Sequence, residues 1–156
     1  MNVHTLQREQ LLPGSPADVF AFFADAHNLE VITPPLLRFR VLSVEPIEMR
    51  AGTLIDYRLR VRGVPVRWTT RIAVWDPPRR FVDEQLRGPY ALWHHTHTFE
   101  DDGNGATLMR DVVRYAVGFG AFGVLASNLV VRRDLVAIFD YRAQRIVALL
   151  AQRERG

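Results

Sequence analysis

The chain has 156 residues, no cysteine, and a formal charge of +3 with its histidines neutral. Without a thiol it can hold no disulfide, no cysteine nucleophile and no cysteine-ligated zinc, haem or iron–sulfur group. All 20 of its basic residues are arginine, which reads as compositional bias and not as a surface built for one partner.

The length fits one domain, 1–156, able to bury a sizeable core. No segment approaches the ~18 uninterrupted apolar residues that a membrane span requires. The opening Met1–Glu9 is polar and lacks the apolar core of a secretion signal. The expectation is a cytoplasmic protein without integral membrane association.

Weak alternation over the first ten residues predicts an edge strand ending at Leu11-Leu12. Ser15-Pro16-Ala17-Asp18 then supplies an N-cap serine, proline at the first helical position and an acid in the first turn. Val19, Phe22, Phe23 and Ala26 give that short helix a buried face. A second short turn, Asn28 to Thr33, stops at Pro34-Pro35, which cannot continue a helix.

From Leu36 the period becomes two. Leu37, Phe39 and Val41 alternate with Arg38 and Arg40; Ile55, Tyr57, Leu59 and Val61 alternate with Asp56, Arg58, Arg60 and Arg62. After Gly63 come Val66, Trp68, Thr70, Ile72 and Val74, set against Arg67 and Arg71. These are half-buried antiparallel strands with an apolar face inward and an arginine face outward. Asp76-Pro77-Pro78 turns the chain into a strand over Phe81–Leu86, and Gly88-Pro89 breaks it before a strand over Tyr90–Glu100. Asp101-Asp102-Gly103-Asn104-Gly105 is a hairpin loop returning through Thr107 to Tyr115.

The last quarter, Ala121 to Gln152, reads as one long helix following Gly118, Gly120 and Gly123. Leu125, Leu129, Val136, Phe139, Ala143, Ile146 and Leu150 recur at spacings of three and four, the period of one helical face. At 1.5 Å per residue it would run about 45–50 Å. The order is strand, two short helices, six strands and a long helix, with no repeat or linker. An α+β fold follows, a curved antiparallel sheet of about seven strands wrapped around the C-terminal helix.

That order, with its local motifs, resembles the START-like helix-grip superfamily, also called SRPBCC, whose bacterial members include polyketide cyclase/dehydrase-type proteins. The resemblance rests on Ser15-Pro16-Ala17-Asp18-Val19-Phe20, Asn28-Leu29, Thr33-Pro34-Pro35 and Trp75-Asp76-Pro77-Pro78. It continues through Phe81, Asp83, Gln85, Gly88-Pro89-Tyr90, Trp93, His95, His97, Phe99, Asp111 and Tyr115, and closes on Ile138-Phe139-Asp140-Tyr141-Arg142. Where many members carry proline before the last helix, this chain has Gly118. The resemblance implies a cavity protein for a lipid, hormone, quinone or polyketide, or an enzyme that cyclises one. No cyclase catalytic residue matches a position here.

Strand parity puts Trp93, His95, His97 and Phe99 on one inward face, with Asp111 and Tyr115 beside them on the next strand. Asp83 and Gln85 join Phe81 by the same parity, and Tyr57 and Trp68 face inward from the earlier hairpin. The candidate ligand-binding set is Tyr57, Trp68, Asp83, Gln85, Trp93, His95, His97, Asp111 and Tyr115, with Phe139 from the helix. The mixture of aromatics and convergent polar groups suits a small-molecule pocket. The same polar groups could instead form a satisfied buried network, Asp111 with a histidine and Asp83 with Gln85 or an arginine.

The leading expectation is a non-catalytic binder of a hydrophobic or amphipathic small molecule. The alternative is a cyclase- or dehydratase-type enzyme using His95 and Asp111 as general base; a third is an interaction module with a collapsed cavity. No metal and no cofactor is expected, since His95 and His97 with Asp111 give only a weak ligand pattern. No nucleic-acid binding is expected from Arg38, Arg40, Arg58, Arg60, Arg62, Arg67 and Arg71, which read as a solvated strand face. The expected state is a monomer or homodimer.

Overall fold

A computed structural model describes residues 2–118 and 128–156 of the chain. Seven antiparallel strands form one sheet in the order β1-β7-β6-β5-β4-β3-β2. The strands are β1 (His4–Pro13), β2 (Arg40–Val41), β3 (Leu54–Val61), β4 (Val64–Asp76), β5 (Arg80–Arg87), β6 (Leu92–Asp101) and β7 (Ala106–Ala116). Two short helices, α1 (Pro16–Ala24) and α2 (Asn28–Ile32), follow β1, and the long α3 (Asn128–Arg155) closes the chain. The expected helical stretch 121–127, with Gly123 and Leu125, and Gly120 before it lie outside the described residues.

Ser15 caps α1 through its hydroxyl, which accepts the Asp18 amide N–H at 3.2 Å. The hairpin loop between β6 and β7 closes on Asp102, whose carboxylate accepts the amides of Asn104 and Ala106. Gly103 and Gly105 stand there at φ of 81° and 85°, the left-handed region that costs glycine nothing.

Three apolar clusters frame the interior. One gathers the α1 phenylalanines with Phe81, Phe99, Met109, Ile146 and Leu150. A second joins Leu6, Val113 and Tyr115 to Val131, Leu135 and Phe139 of α3, and a third groups Ala26, Ile55, Tyr57 and Ile72. The edge strand β1 pins α3 with polar arms. The Arg8 guanidinium meets Asp140 at 2.7 Å, and the Gln10 side-chain amide donates to the Ala143 carbonyl at 3.1 Å.

Four sequence expectations need correction. The strand anticipated over Leu37–Val41 shrinks to Arg40–Val41, because Pro35–Leu37 form a 3₁₀ turn and Arg38 takes a left-handed φ of 46°. The register of β4 against β5 shifts between Ile72 and Val74, so Trp75 rather than Val74 joins the core, edge-on to Phe20. Leu129, placed on the inward helical face by its spacing, is 78% exposed; the inward stripe runs through Val131, Leu135, Phe139, Ile146 and Leu150. The arginines also divide: Arg62 turns from the sheet to pair with Asp134 of α3 at 2.8 Å, and Arg60 and Arg62 line the space beneath.

Candidate functional site

Between the sheet and α3 lies a cavity of about 760 Å³. Strand alternation delivers its polar wall. The β5–β6 register sets Asp83 opposite His95 and Phe81 opposite His97, and the β6–β7 register sets Asp111 opposite His97. Each imidazole of β6 thus lies between a carboxylate on its left neighbour and one on its right.

His95 donates its Nε2–H to Asp111 Oδ1 at 2.7 Å, and His97 donates its Nε2–H to Asp83 Oδ2 at 2.6 Å. An ionised carboxylate can only accept, so the shared hydrogens belong to the rings. His97 Nδ1 also faces Asp111 Oδ1 at 3.2 Å, close enough for charge attraction but out of line for a hydrogen bond. His95 Nδ1 is 3.8 Å from Asp83, beyond hydrogen-bond reach, which leaves that nitrogen without a proton to share. The two rings stack at 3.6 Å, Phe81 stacks on His97 at 3.9 Å, and Phe139 meets His95 edge-on at 5.5 Å.

These contacts set the charges. Burial alone would raise both aspartates. The His97 hydrogen bond to Asp83, and the His95 and His97 contacts to Asp111, overcome it and hold both carboxyls below their ordinary range. Burial lowers His95, and the neighbouring His97 lowers it further, against the pull of Asp111 and Asp83. Burial opposes charge on His97 too, but two carboxylates outweigh it and raise that ring above the ordinary imidazole value. The array thus favours two carboxylates, charge on the His97 ring and a neutral His95. Parity thus brings His95 and Asp111 together, while the ring whose pKa the carboxylates raise is His97.

Asp83, His95 and His97 also bring one donor atom each within 4.8 Å of one another, the geometric minimum for a metal centre. An ion there would have to break the His97–Asp83 hydrogen bond and turn stacked rings whose planes differ by 30°, so that their lone pairs converge. The array as it stands fits charge-paired hydrogen bonding better than ligation.

Of the candidate ligand-binding residues, Tyr57, Trp68, Asp83, Trp93, His95, His97 and Phe139 line the cavity. Trp68 donates its indole N–H to Thr70 Oγ1 at 3.0 Å, and Tyr57 reaches the same hydroxyl. Burial, reinforced by the Asp83 charge, raises the Tyr57 phenol and keeps it neutral. Three candidates stand elsewhere. Asp111 lies behind the histidines, and Tyr115 is buried in the cluster under α3. Gln85 braces the β5–β6 turn, its amide donating to the Tyr90 carbonyl at 2.8 Å and accepting the Tyr90 N–H at 3.1 Å.

Arg142 was missed. It follows Leu135 and Phe139 by seven and three residues and precedes Ile146 by four, so helical spacing places it on the inward stripe. The assignment of that turn to Ala143 hid it. Its guanidinium carbon lies 5.0 Å over the Phe139 ring, and the residue lines the cavity.

A curved antiparallel sheet gripping one long helix, with a lined cavity between them, defines the START-like helix-grip class. Within it, the chain belongs to the family described as polyketide cyclase / dehydrase and lipid transport, whose family model matches residues 3–151. No curated protein matches it significantly in sequence. Among solved structures, it is similar to the Zhui aromatase/cyclase of Streptomyces sp. R1128, with a TM-score of 0.80 at 14% identity over 99% of this chain and 98% of that one. A START superfamily protein of Mycobacterium smegmatis gives 0.71 at 10% identity, over 96% and 98%. A point mutant of Thalictrum flavum norcoclaurine synthase with a transition-state analogue gives 0.68 at 12%, over 98% and 97%. Identities this low establish the shared fold and nothing finer.

Proposed function

We propose that the chain, acting as one domain over residues 1–156, binds a hydrophobic or amphipathic small molecule between its sheet and α3. The observation that carries this reading is the wall of the 760 Å³ cavity, where Trp68, Trp93 and Phe139 meet Asp83, His95 and His97. A volume of that size is ordinary for a ligand of 20–30 non-hydrogen atoms, at about 300–1,000 Å³ for known sites. Family membership supports a lipid-, quinone- or polyketide-like ligand without choosing among them. Native mass spectrometry of protein purified without denaturation tests it. A retained small molecule is the expected result, and its absence together with failure to take up any added amphipath would count against the reading.

One observation favours a second reading, a cyclase- or dehydratase-type enzyme. His95 is held neutral by burial and oriented by Asp111, and among the described residues its Nδ1 has no hydrogen-bond partner, the arrangement of a general base. A turnover lost in both His95→Ala and Asp111→Asn, assayed at a temperature where each variant is still folded, would establish the enzyme in place of the pure binder.

A further inference from the structure

We infer that Arg142 is the anchor for a carboxylate on the ligand, so that the cavity takes an amphipathic acid, held by its charged end against α3. The inference rests on the cavity being a ligand site. It starts from a side chain whose needs the described residues leave unmet. Arg142 lines the cavity on the inward stripe of α3, and among the described residues it makes no hydrogen bond or ion pair. Its Nε–H is buried without an acceptor. A guanidinium carries five donors and cannot shed its proton, so burying it unpaired is costly unless something else supplies oxygen.

The obvious internal partners are already committed. Asp83 accepts from His97 and Asp111 from His95, at 2.6 and 2.7 Å. Their charges steady the guanidinium from beyond ion-pair distance, against the burial that lowers its pKa. The local balance supports an incoming anion. Two carboxylates face His97 and one guanidinium, so the wall carries no excess of negative charge, and among its groups the guanidinium has the most donors unused. The guanidinium carbon lies 5.0 Å over the Phe139 ring, and its planar fork can offer two parallel N–H groups to two carboxylate oxygens.

The approach is cationic as well. Arg60, Arg62 and Arg133 line the cavity, and Arg62 and Asp134 are 44% and 42% exposed where they pair. The exposed end of the cavity therefore lies between the β3–β4 hairpin and the first turns of α3. Positive charge there draws anions inward. The geometry distinguishes this from a plain counter-ion role, in which Arg142 would lie in ion-pair contact with Asp83 or Asp111.

The test is a pair of probes alike in ring and size, 2-naphthoate and 2-naphthalenemethanol, titrated against the intact protein by tryptophan fluorescence. Trp68 and Trp93 line the cavity and report on both. Wild type should bind the acid about tenfold tighter or more, the usual worth of a charge-assisted pair. Arg142→Gln should bring the ratio of the two affinities to about one, and Arg142→Lys, which keeps the charge but not the fork, to an intermediate value. Equal binding of the two probes by wild type would overturn the inference while leaving the cavity reading intact. So would an acid preference that survives in Arg142→Gln, or, should that variant not fold, one unchanged in Arg142→Lys. Failure of wild type to bind either probe would overturn the cavity reading and this inference with it.

Discussion

The imidazoles of His95 and His97 stack with their centroids 3.6 Å apart, yet each holds its proton under the opposite influence. His97 has a carboxylate close to each nitrogen and is favoured as the imidazolium; His95 has one at hydrogen-bond distance and a second 3.8 Å away, and it also borders His97. Charge on one ring thus disfavours charge on the other, and of the two His97 is the one favoured to hold it.

Nitrogen-15 spectra of the histidine side chains should show this asymmetry. His97 is expected to titrate above the ordinary value of about 6.5 and His95 below it. His95 should appear as the tautomer with hydrogen on Nε2, facing Asp111. Two rings titrating together near 6.5 would mean that the carboxylates do not act as described.

Stability should follow the same division. A raised folded value, as at His97, gives stabilisation that is complete below about 6.5 and is lost as pH rises through the folded value. The depressed value of His95 acts the other way, its contribution being lost as pH falls below about 6.5. In wild type the two oppose each other between pH 8 and 6. His95→Gln removes one, so its melting temperature, relative to wild type, should rise on acidification over that interval. An unchanged difference across the interval would refute the assignment. The depressed carboxyls of Asp83 and Asp111 contribute above about 3.9, and that contribution fades only as pH falls towards their folded values.

Asp111 is 5% exposed and faces both histidines, so removing its charge strands an imidazolium. Asp111→Asn should cost about 2–4 kcal/mol at pH 7 in urea unfolding, since breaking a buried pair from one side leaves the other charge uncompensated. A cost below about 0.5 kcal/mol, the scale of an ordinary surface change, would contradict the pairing.

Strand parity carried most of this site. Trp93, His95, His97 and Phe99 alternate within a regular hairpin, and a closed loop such as Asp101–Gly105 fixes the register that brings Asp111 across. Parity failed where regularity did. The bulge after Ile72 exchanged Val74 for Trp75, and the proline turn at 34–35 consumed most of a strand. Helical periodicity located the stripe through Phe139, Ile146 and Leu150, but one apolar alanine beside an arginine made Ala143 seem the inward residue. Only the packing of α3 shows Arg142 in that place. Gln85 illustrates another limit. It has the right parity for the cavity, yet its amide finds the Tyr90 backbone first.

That brace predicts non-additivity. A Cβ added at Gly88 would sit 2.4 Å from Gln85 Oε1, and the amide cannot swing away without losing both bonds to Tyr90. Gly88→Ala should therefore cost about 1–3 kcal/mol in wild type and clearly less in the Gln85→Ala background. Equal costs in both backgrounds, measured by denaturant unfolding, would place the strain elsewhere.

The central claim is that a small molecule occupies the space between the sheet and α3. Its most direct test is solution NMR of the protein with the tightest binder from a panel of aromatic and alicyclic acids, alcohols and ketones. The account predicts intermolecular nuclear Overhauser contacts from that molecule to the side chains of Trp68, Trp93 and Phe139, which line the cavity. Contacts confined to exposed apolar residues such as Val44 and Leu129, or no binder in the panel at all, would contradict it.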